Sequence, residues 1–326
     1  MKPDIYFYIP SDIYNPEWPK SLKDNWISFG KGPNIWTYFT PIVLKEKGYD
    51  VKITTKIPDE GIVLSHSRYL PQKRLVNDKT ILICIRADYG RNHMAHIHIV
   101  QNPKQPKMIG KDILERLFFP GLSFYIPYWP QPGLIPRDPN RGDKFENIVY
   151  MGALKNLHED LRSESFKKEL ENEGIKFKII TSRANWNDYS QVDGVLALRP
   201  TSGDSDLRKP PSKLVNAWLA RVPAILGPES AFRALRKSEY DYIEVKNIKQ
   251  IKKAVLFLKD NPEIRKKMIE NGILRSSEFT IDSIANRWIH FFENVAIPYY
   301  LKWIKSKIYR KTFYFFRSIR TGIKNL

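Results

Sequence analysis

The stretch 199–227 constrains the fold of this chain most strongly, because it places a basic loop and an apolar helix between two short apolar runs. The runs at 194–198 and 222–226 are typical of strands buried on both faces of a parallel sheet. Two consecutive prolines end any earlier helix, and Ser212 is a suitable N-cap for the helix that follows. The order strand, loop, helix, strand predicts a βαβ unit.

Three cations lie close to the predicted start of that helix: Arg208, Lys209 and Lys213. The free N–H groups of a helix N-terminus and the positive end of its dipole favour an anion such as a diphosphate. A solvated basic loop is an equally good interpretation of this stretch taken alone. The remainder of the chain has to decide between the two.

Length and composition indicate a globular protein of two domains. The chain has 326 residues, of which 42% are apolar and 13% aromatic. Its single cysteine, Cys84, lies inside an apolar run, so a disulfide framework and a cysteine metal site are excluded and a reducing compartment is indicated. The sequence shows neither a signal peptide nor an apolar run long enough to span a membrane, and we expect a cytoplasmic protein.

The C-terminal tail carries a large share of the formal charge of +19. From residue 294 to 326 there is no acidic residue, and eight cations are mixed with aromatic side chains. Such a segment is typical of an amphipathic helix that lies in a membrane interface on anionic lipid. Alternatively, its apolar face packs on the protein and crosses back over the first domain. We expect residues 299–326 to associate peripherally with an anionic membrane surface.

The first half of the sequence alternates apolar runs with helical or loop segments, which predicts an α/β domain with a doubly wound parallel sheet. A helix over 35–47 follows a glycine loop. Within this loop, Gly32 and Asn34 lie where a phosphate or a sugar can approach the backbone. The apolar runs are at 5–9, 51–54, 61–66, 80–85 and 95–100.

Two of these runs are followed by titratable residues that are candidates for catalysis, His66 and Asp88, because ligands bind beyond the carboxyl ends of strands in such sheets. Asp88 lies between two arginines and is interpreted either as a general base or as an ion-paired loop carboxylate. His96 and His98 share one face of a strand and resemble a metal pair. No third ligand follows at a suitable spacing, so we expect packed histidines and no metal site.

A proline-rich segment, 120–141, separates this half from a second set of apolar runs. Proline fits neither a helix interior nor a central strand, so we interpret the segment as an interdomain linker. The second set predicts another parallel sheet, with helices over 161–173, 247–258, 262–272 and 280–293. Its runs are at 148–152, 176–181, 194–198, 222–226 and 242–245. We expect domains at 1–142, 143–281 and 282–326.

Three motifs resemble the GT-B glycosyltransferases, chiefly the family 4-like group of bacterial polysaccharide and lipid-linked sugar transferases. Residues 32–34 with 44–51 resemble the glycine loop, helix and following strand of that family, and 213–225 resemble its donor-site helix. Residues 264–272 with 279–280 resemble its C-terminal helices. The resemblance implies two Rossmann-like domains that face each other across a cleft, followed by the amphipathic tail.

The resemblance also implies a function. A sugar would be transferred from a nucleoside diphosphate sugar to a hydroxyl acceptor, in polysaccharide or glycolipid synthesis at the cytoplasmic membrane face, without a metal or another cofactor. The saccharide or lipid-linked acceptor would bind the first domain and the donor the second. The residues expected to bind the donor are Lys155, Arg183, Tyr189, Arg199, Arg208, Lys209, Ser212, Lys213 and Asn216.

The donor motif departs from the family pattern. Common retaining members carry two glutamates eight positions apart, and here Arg208 and Asn216 stand at those positions. Asn216 can still hydrogen-bond a ribose or a phosphate, but the carboxylate near the transferred sugar is missing. If the reaction inverts, Asp88 is our first choice of base. Two other functions stay open: a GT-B scaffold without activity, and a basic nucleic-acid-binding protein. The positive charge is concentrated in one tail and one loop, which argues against nucleic-acid binding.

Overall fold

The computed structural model describes residues 2–27, 32–71, 78–107, 122–200 and 207–324. Contacts divide the chain into two compact units. Unit 1 consists of Met1–Asp24, Lys31–Pro127 and Ile284–Leu326, and unit 2 of Asn25–Gly30 and Tyr128–Ser283. The domain boundaries expected at 142 and 281 stay a prediction. The contact units differ from them, since 128–142 fall in unit 2 and most of the C-terminal segment falls in unit 1.

Unit 1 is built on a parallel sheet of six strands in the order β2-β1-β3-β4-β5-β6. The strands are β1 (Ile5–Tyr8), β2 (Lys52–Thr54), β3 (Gly61–His66), β4 (Thr80–Ile85), β5 (Ile97–Val100) and β6 (Leu122–Tyr125). Strands β3 and β4 are buried along their whole length, as their continuous apolar sequences predict. Strand β6 is not among the predicted strands. It lies in the proline-rich segment and pairs with β5 at the sheet edge, where flanking prolines are tolerated.

Helix α1 connects β1 to β2. It begins with Gly32–Asn34, continues through a π-helical part, Ile35–Phe39, and ends with Thr40–Glu46. Gly48 follows in the left-handed region, with φ of +75°, which is the usual conformation for glycine after a helix. The helix predicted over 35–47 is therefore present and begins earlier.

Unit 2 is built on a parallel sheet of five strands in the order β11-β10-β9-β7-β8. The strands are β7 (Asn147–Met151), β8 (Lys176–Ile180), β9 (Gly194–Ala197), β10 (Ala224–Leu226) and β11 (Ile243–Glu244). The helices are α2 (Glu164–Asn172), α3 (Ser212–Leu219), α4 (Ser230–Leu235), α5 (Ile248–Asp260) and α6 (Pro262–Ser276). The predicted βαβ unit is β9-α3-β10, whose two strands pair in parallel.

The N-cap residues explain where three of the helices begin. Helix α2 begins later than predicted because Ser163 Oγ accepts a hydrogen bond from Phe166 N at 3.2 Å. Asn247 caps α5 in the same way, through Gln250 N at 3.0 Å. The cap predicted for α3 is wrong: Pro211 occupies the N-cap, and Ser212 is already the first helical residue. Proline has no polar side-chain atom, so the backbone N–H groups at this helix start are left to other partners.

The two sheets share one topology. Numbered within its own unit, each sheet has the strand order 2-1-3-4-5, and unit 1 adds a sixth strand beyond the fifth. The connections run in opposite directions from the first strand, so the switch point lies between β1 and β3 in unit 1 and between β7 and β9 in unit 2. Ligands of doubly wound sheets bind outside the carboxyl ends of the strands at such a point. The fold therefore predicts a ligand site at the carboxyl ends of the strands in each sheet, which we call the carboxyl edge of that sheet.

Helix α7 (Ile281–Phe291) continues through a π-helical turn, Phe292–Ala296, into α8 (Ile297–Lys305), and α9 (Lys307–Lys324) follows. Trp288 of α7 is fully buried, with its ring centroid 6.1 Å from that of Phe7 in β1. Truncating such a side chain to alanine costs about 3–5 kcal/mol. The C-terminal segment therefore contributes to the core of unit 1.

One face of the tail packs on unit 1. The Trp303 indole N–H donates to Asp78 O at 2.8 Å, and the Phe313 ring stacks on His96 with 4.7 Å between the centroids. This is the packing that the sequence offered as an alternative to membrane association. The opposite face of α9 exposes Ile308 and Phe315. In the described part of the chain, no helix is both long and apolar enough to cross a membrane.

Candidate functional site

The carboxyl edge of the unit 2 sheet gathers charged side chains at its switch point. Gly152 directly follows β7, Arg199 follows β9, and Glu229 follows β10. Lys213 comes from the first turn of α3. Together with Tyr150, the penultimate residue of β7, these side chains form what we call the switch-point cluster.

Lys213 reaches this edge because Gly152 has no side chain. Its Nζ lies 5.2 Å from the centroid of the Tyr150 ring, within cation–π distance. A Cβ placed on Gly152 would lie 3.3 Å from Lys213 Nζ and 2.7 Å from the Tyr150 hydroxyl oxygen. The Tyr150 hydroxyl donates to Ala153 O at 2.9 Å, which fixes the ring beneath the lysine. A side chain at 152 would therefore force the Tyr150 ring to shift and would crowd the ammonium group.

Arg199 is held from two sides. Its Nε lies 2.9 Å from Glu229 Oε2, and its Nη1 donates to Asn156 Oδ1 at 2.9 Å. The side chain of Glu229 is almost completely buried, and that of Arg199 is largely buried. A buried ion pair of this kind is costly unless both groups are well partnered, so its position at the switch point calls for a functional explanation.

The surroundings in the cluster shift the pKa values of Lys213 and Tyr150. Burial is the main cause that lowers the pKa of Lys213 to about 8, repulsion from Arg199 and Lys209 adds to it, and attraction by Glu229 opposes it. Burial also raises the pKa of Tyr150 to about 12, so its hydroxyl stays neutral. At neutral pH the cluster is cationic. A bound anion would favour the protonated form of Lys213 and would be favoured by it.

Four other predicted donor residues lie near the same edge. Lys155 is exposed on the short 3₁₀ helix Leu154–Asn156 after β7. Arg208 is exposed and Lys209 half-buried in the loop before α3, and Ser212 is half-buried in its first turn. Residues 201–206 of this loop lie outside the described residues. The structure thus brings Arg199, Lys209 and Lys213 together, and the roles of Lys155, Arg208 and Ser212 in donor binding stay predictions.

Three further predicted donor residues have other surroundings. Arg183 is exposed, 5.8 Å from the Trp186 ring centroid. Tyr189 is buried in the core of unit 2 and hydrogen-bonds with Asn216. Asn216 Oδ1 in turn accepts the backbone N–H of Gln131 at 3.2 Å. In this structure Asn216 joins α3 to Tyr189 and to the backbone of Gln131, and the roles of Asn216 and Tyr189 in donor binding stay predictions.

The switch point of the unit 1 sheet carries His66, the last residue of β3. It is buried, and its Nδ1 accepts the backbone N–H of Arg68 at 3.2 Å. Burial, with a smaller contribution from the Arg68 cation, lowers the pKa of His66 to about 4, and Asp88 opposes this shift. At neutral pH the ring is therefore neutral with its proton on Nε2, a donor without a hydrogen-bond partner among the described residues.

Asp88 lies at the same edge, beyond β4. Its Oδ1 accepts a hydrogen bond from Gln101 Nε2 at 2.8 Å, and the residue is exposed. Ala87 before it has φ of +46°, a strained left-handed conformation for a residue with a side chain. The structure thus brings His66 and Asp88 to one edge, but as different chemical groups: His66 is a hydrogen-bond donor, and Asp88 is an exposed carboxylate that can accept a proton.

The remaining predictions for unit 1 concern the glycine loop and the two histidines of β5. Asn34 is buried and accepts the Tyr69 hydroxyl at 3.3 Å, while a Cβ on Gly32 would meet nothing within 4 Å. Their role in ligand binding stays a prediction. His96 Nδ1 accepts the Leu82 N–H at 2.9 Å and stacks on Phe313, which is the packing expected for it. Within the described residues, no group of three or more His, Cys, Asp or Glu could hold a metal ion.

The charged residue of the switch-point cluster that the sequence did not predict is Glu229. The signal was present, because Glu229 closely follows the apolar run that forms β10 and the same strand-end rule that selected His66 and Asp88 applies to it. An anion site predicts basic residues, and nothing local in the sequence indicates that a carboxylate lies among them.

The fold has known relatives among solved structures. TarM matches with a TM-score of 0.51 and 11% sequence identity over 78% of this chain, and the chain spans 58% of TarM. HepE from Anabaena in complex with UDP and glucose gives 0.48 and 10%, covering 81% of this chain and 84% of HepE. Sucrose-phosphate synthase from Thermosynechococcus elongatus gives 0.48 and 11%, covering 89% and 88%. No protein-family model and no curated protein matches the sequence.

At such identities the likeness shows the fold alone. The predicted GT-B class is confirmed: two parallel sheets of six and five strands with flanking helices, and a C-terminal helical tail. The structural neighbours are GT-B glycosyltransferases. The family 4-like grouping and the predicted donor motif stay predictions.

Proposed function

We propose that this chain is a glycosyltransferase that moves a sugar from a nucleoside diphosphate sugar to a hydroxyl acceptor. One observation carries the proposal: the switch-point cluster places Lys213 and Arg199 at the carboxyl edge of the second sheet of a GT-B fold. Doubly wound sheets bind nucleotides at this edge, and a diphosphate is the part of the donor that buried cations would hold.

The cluster suits the chemistry of the leaving group. Breaking the bond between the sugar and the diphosphate leaves negative charge on the diphosphate, and fixed cations in a partly buried site stabilise that charge without reorganisation. Lys213, Arg199 and Lys209 supply the charge, and the start of α3 supplies backbone N–H groups. We propose that these groups take the place of a divalent ion.

Unit 1 would supply the acceptor chemistry. Asp88 can accept the proton of an attacking hydroxyl, and Gln101 fixes one of its oxygens. His66 keeps its proton on Nε2 throughout the neutral range, so in this proposal it donates a hydrogen bond to a substrate oxygen and does not act as a base. This division of roles refines the sequence prediction, in which both residues were catalytic candidates.

A screen of donor hydrolysis over nucleotide sugars tests the proposal, with Lys213→Ala and Asp88→Asn as variants. We expect one donor to be hydrolysed, Lys213→Ala to weaken its binding, and Asp88→Asn to reduce transfer. Calorimetry against UDP, GDP and single-stranded RNA separates the alternatives. Tight RNA binding without a nucleotide response would favour the nucleic-acid-binding alternative, and nucleotide binding without turnover would favour an inactive scaffold.

We also propose that α9 lies on an anionic membrane surface while it remains docked on unit 1, as suits synthesis of a polysaccharide or glycolipid at the cytoplasmic membrane face. Its docked face carries Phe313 and Arg317, which lies 4.6 Å from the centroid of that ring. The opposite face exposes Ile308 by 79% and Phe315 by 61%, with Lys311 beside them. Exposed apolar side chains flanked by cations fit the headgroup boundary of anionic lipid.

Point substitutions test the membrane contact better than removal of 299–326, because removal would uncover His96. We expect Ile308→Ser with Phe315→Ser to lower partitioning onto phosphatidylserine-containing vesicles about tenfold or more. The matched control is Ile273→Ser with Leu274→Ser, two exposed side chains of α6. An equal loss in the control, or no loss in the tail variant, would contradict the membrane proposal.

A further inference from the structure

Glu229 is placed as a functional residue of the switch-point cluster and not as a helix cap. It occupies the N-cap position of α4 but makes no capping hydrogen bond with its side chain. Its carboxylate instead lies 2.9 Å from Arg199 Nε, and the residue is only 5% exposed.

The surroundings of Glu229 are cationic on several elements. Arg199 approaches from the end of β9, Lys213 from α3, and Lys209 from the loop before it. Arg162, from the 3₁₀ helix Glu159–Arg162, acts on the neighbouring Tyr150. Cations crowded at one partly buried edge repel each other, which favours their moving apart or losing protons. A buried carboxylate among them removes part of that repulsion.

We infer that Glu229 is a positioning residue of the anion site, the fixed countercharge around which Arg199 and Lys213 are arranged. This inference rests on the proposed donor-diphosphate site. Glu229 directs the guanidinium together with Asn156, and its negative charge favours the ammonium form of Lys213 next to Gly152. Its loss should change the pH range of anion binding more than the affinity at neutral pH.

Calorimetric titration of the full chain with UDP and with inorganic pyrophosphate, at pH 7 and pH 9, tests the inference. In the wild type, affinity falls at pH 9 because Lys213 loses its proton above about pH 8. In Glu229→Gln we expect that pKa to fall by about one unit, which makes binding up to about fivefold weaker than wild type at pH 9 but within about twofold at pH 7. Glu229→Asp should restore most of the affinity at pH 9.

The matched control is Glu244→Gln, a glutamate at the end of β11 whose ion pair is with Arg233 at 2.6 Å. It should leave both affinities and their pH dependence unchanged. Equal weakening at both pH values in Glu229→Gln would show a merely structural role and overturn the inference, as would no change at either. If pyrophosphate shows the expected pattern and UDP binds no better than pyrophosphate, the nucleotide proposal fails while the role of Glu229 stands.

Discussion

The carboxyl edges of the two sheets have the same topology and opposite chemistry. At the unit 1 edge, His66 is neutral and Asp88 is an exposed carboxylate. At the unit 2 edge, Lys213 and Arg199 are cations arranged around one buried carboxylate, that of Glu229. Because both edges follow the same strand order, the fold accounts for where the side chains lie but not for what they do.

Under the proposed function, the two carboxyl edges would supply the two halves of one reaction. A hydroxyl acceptor needs a proton acceptor and a neutral hydrogen-bond donor, which are the groups that Asp88 and His66 offer. A departing diphosphate needs positive charge, and an uncompensated carboxylate would repel it. Substitutions that remove one group from either edge therefore show whether this division of roles is real.

The largest expected effect comes from Asp88. If it is the base, Asp88→Asn should lower the transfer rate about 10²–10⁴-fold with little change in donor affinity, because general base catalysis contributes that much. The measurement is steady-state transfer with the donor identified by the hydrolysis screen. Asp50→Asn, an exposed aspartate just before β2 at the amino edge of the same sheet, is the control and should leave the rate unchanged. Equal transfer rates for Asp88→Asn and wild type would show that Asp88 is not the general base.

The next effect concerns the cations of the other edge. Lys213→Ala should weaken UDP binding about 10- to 100-fold at pH 7, since a charge-assisted hydrogen bond contributes about 1.5–3 kcal/mol. Titration calorimetry measures the loss, and circular dichroism shows whether α3 is kept. Lys176→Ala removes an exposed lysine at the amino edge of the same sheet and should change affinity less than twofold. A similar loss in both variants would mean that general charge, not the switch point, binds the nucleotide.

The neutral state of His66 predicts a stability effect. Its folded pKa of about 4 lies below the unfolded value of about 6.5, so the unfolded chain binds more protons and stability is lost as pH falls from 6.5 towards 4. From pH 7 to pH 5 this site should cost about 2 kcal/mol of unfolding free energy. In His66→Asn that share of the loss should vanish in urea unfolding curves, while the parts due to His96 and His98 remain. An unchanged pH dependence would mean that His66 is not buried as a neutral ring.

Much of this fold could be predicted from the sequence, because parallel strands that are buried on both faces have continuous apolar sequences. The runs at 61–66 and 80–85 match β3 and β4 residue for residue. Strand β6 could not be found this way, because an edge strand among prolines has no such run. The start of α3 was off by one residue, since helix propensity does not show that Pro211 would take the cap position.

The site was predictable in its location and not in its internal arrangement. His66 follows from the strand-end rule and Lys213 from the predicted helix N-terminus, and both need only the order of elements. Two contacts depend on packing between segments far apart in the chain. They are the ion pair of Glu229 with Arg199 and the hydrogen bond from the Gln131 backbone to Asn216. Side-chain pairing across such separations leaves no local pattern in a single sequence.

The smallest expected effect separates buried from exposed charge within the unit 2 edge. Lys155 is exposed beside the Gly152 turn, so its attraction to a diphosphate acts through water and is screened by salt. Lys155→Ala should weaken UDP binding only about two- to fivefold at low ionic strength. The difference between this variant and wild type should disappear near roughly 0.5 M salt, because the screening length there is only a few ångströms. The loss in Lys213→Ala should persist at that concentration, because Lys213 is partly buried against Tyr150 and water screens it less. Titrations of both variants at low and high salt measure the contrast. If the two losses fell with salt in parallel, burial at the switch point would have no part in holding the anion, and the unit 2 edge would differ from the unit 1 edge in net charge alone.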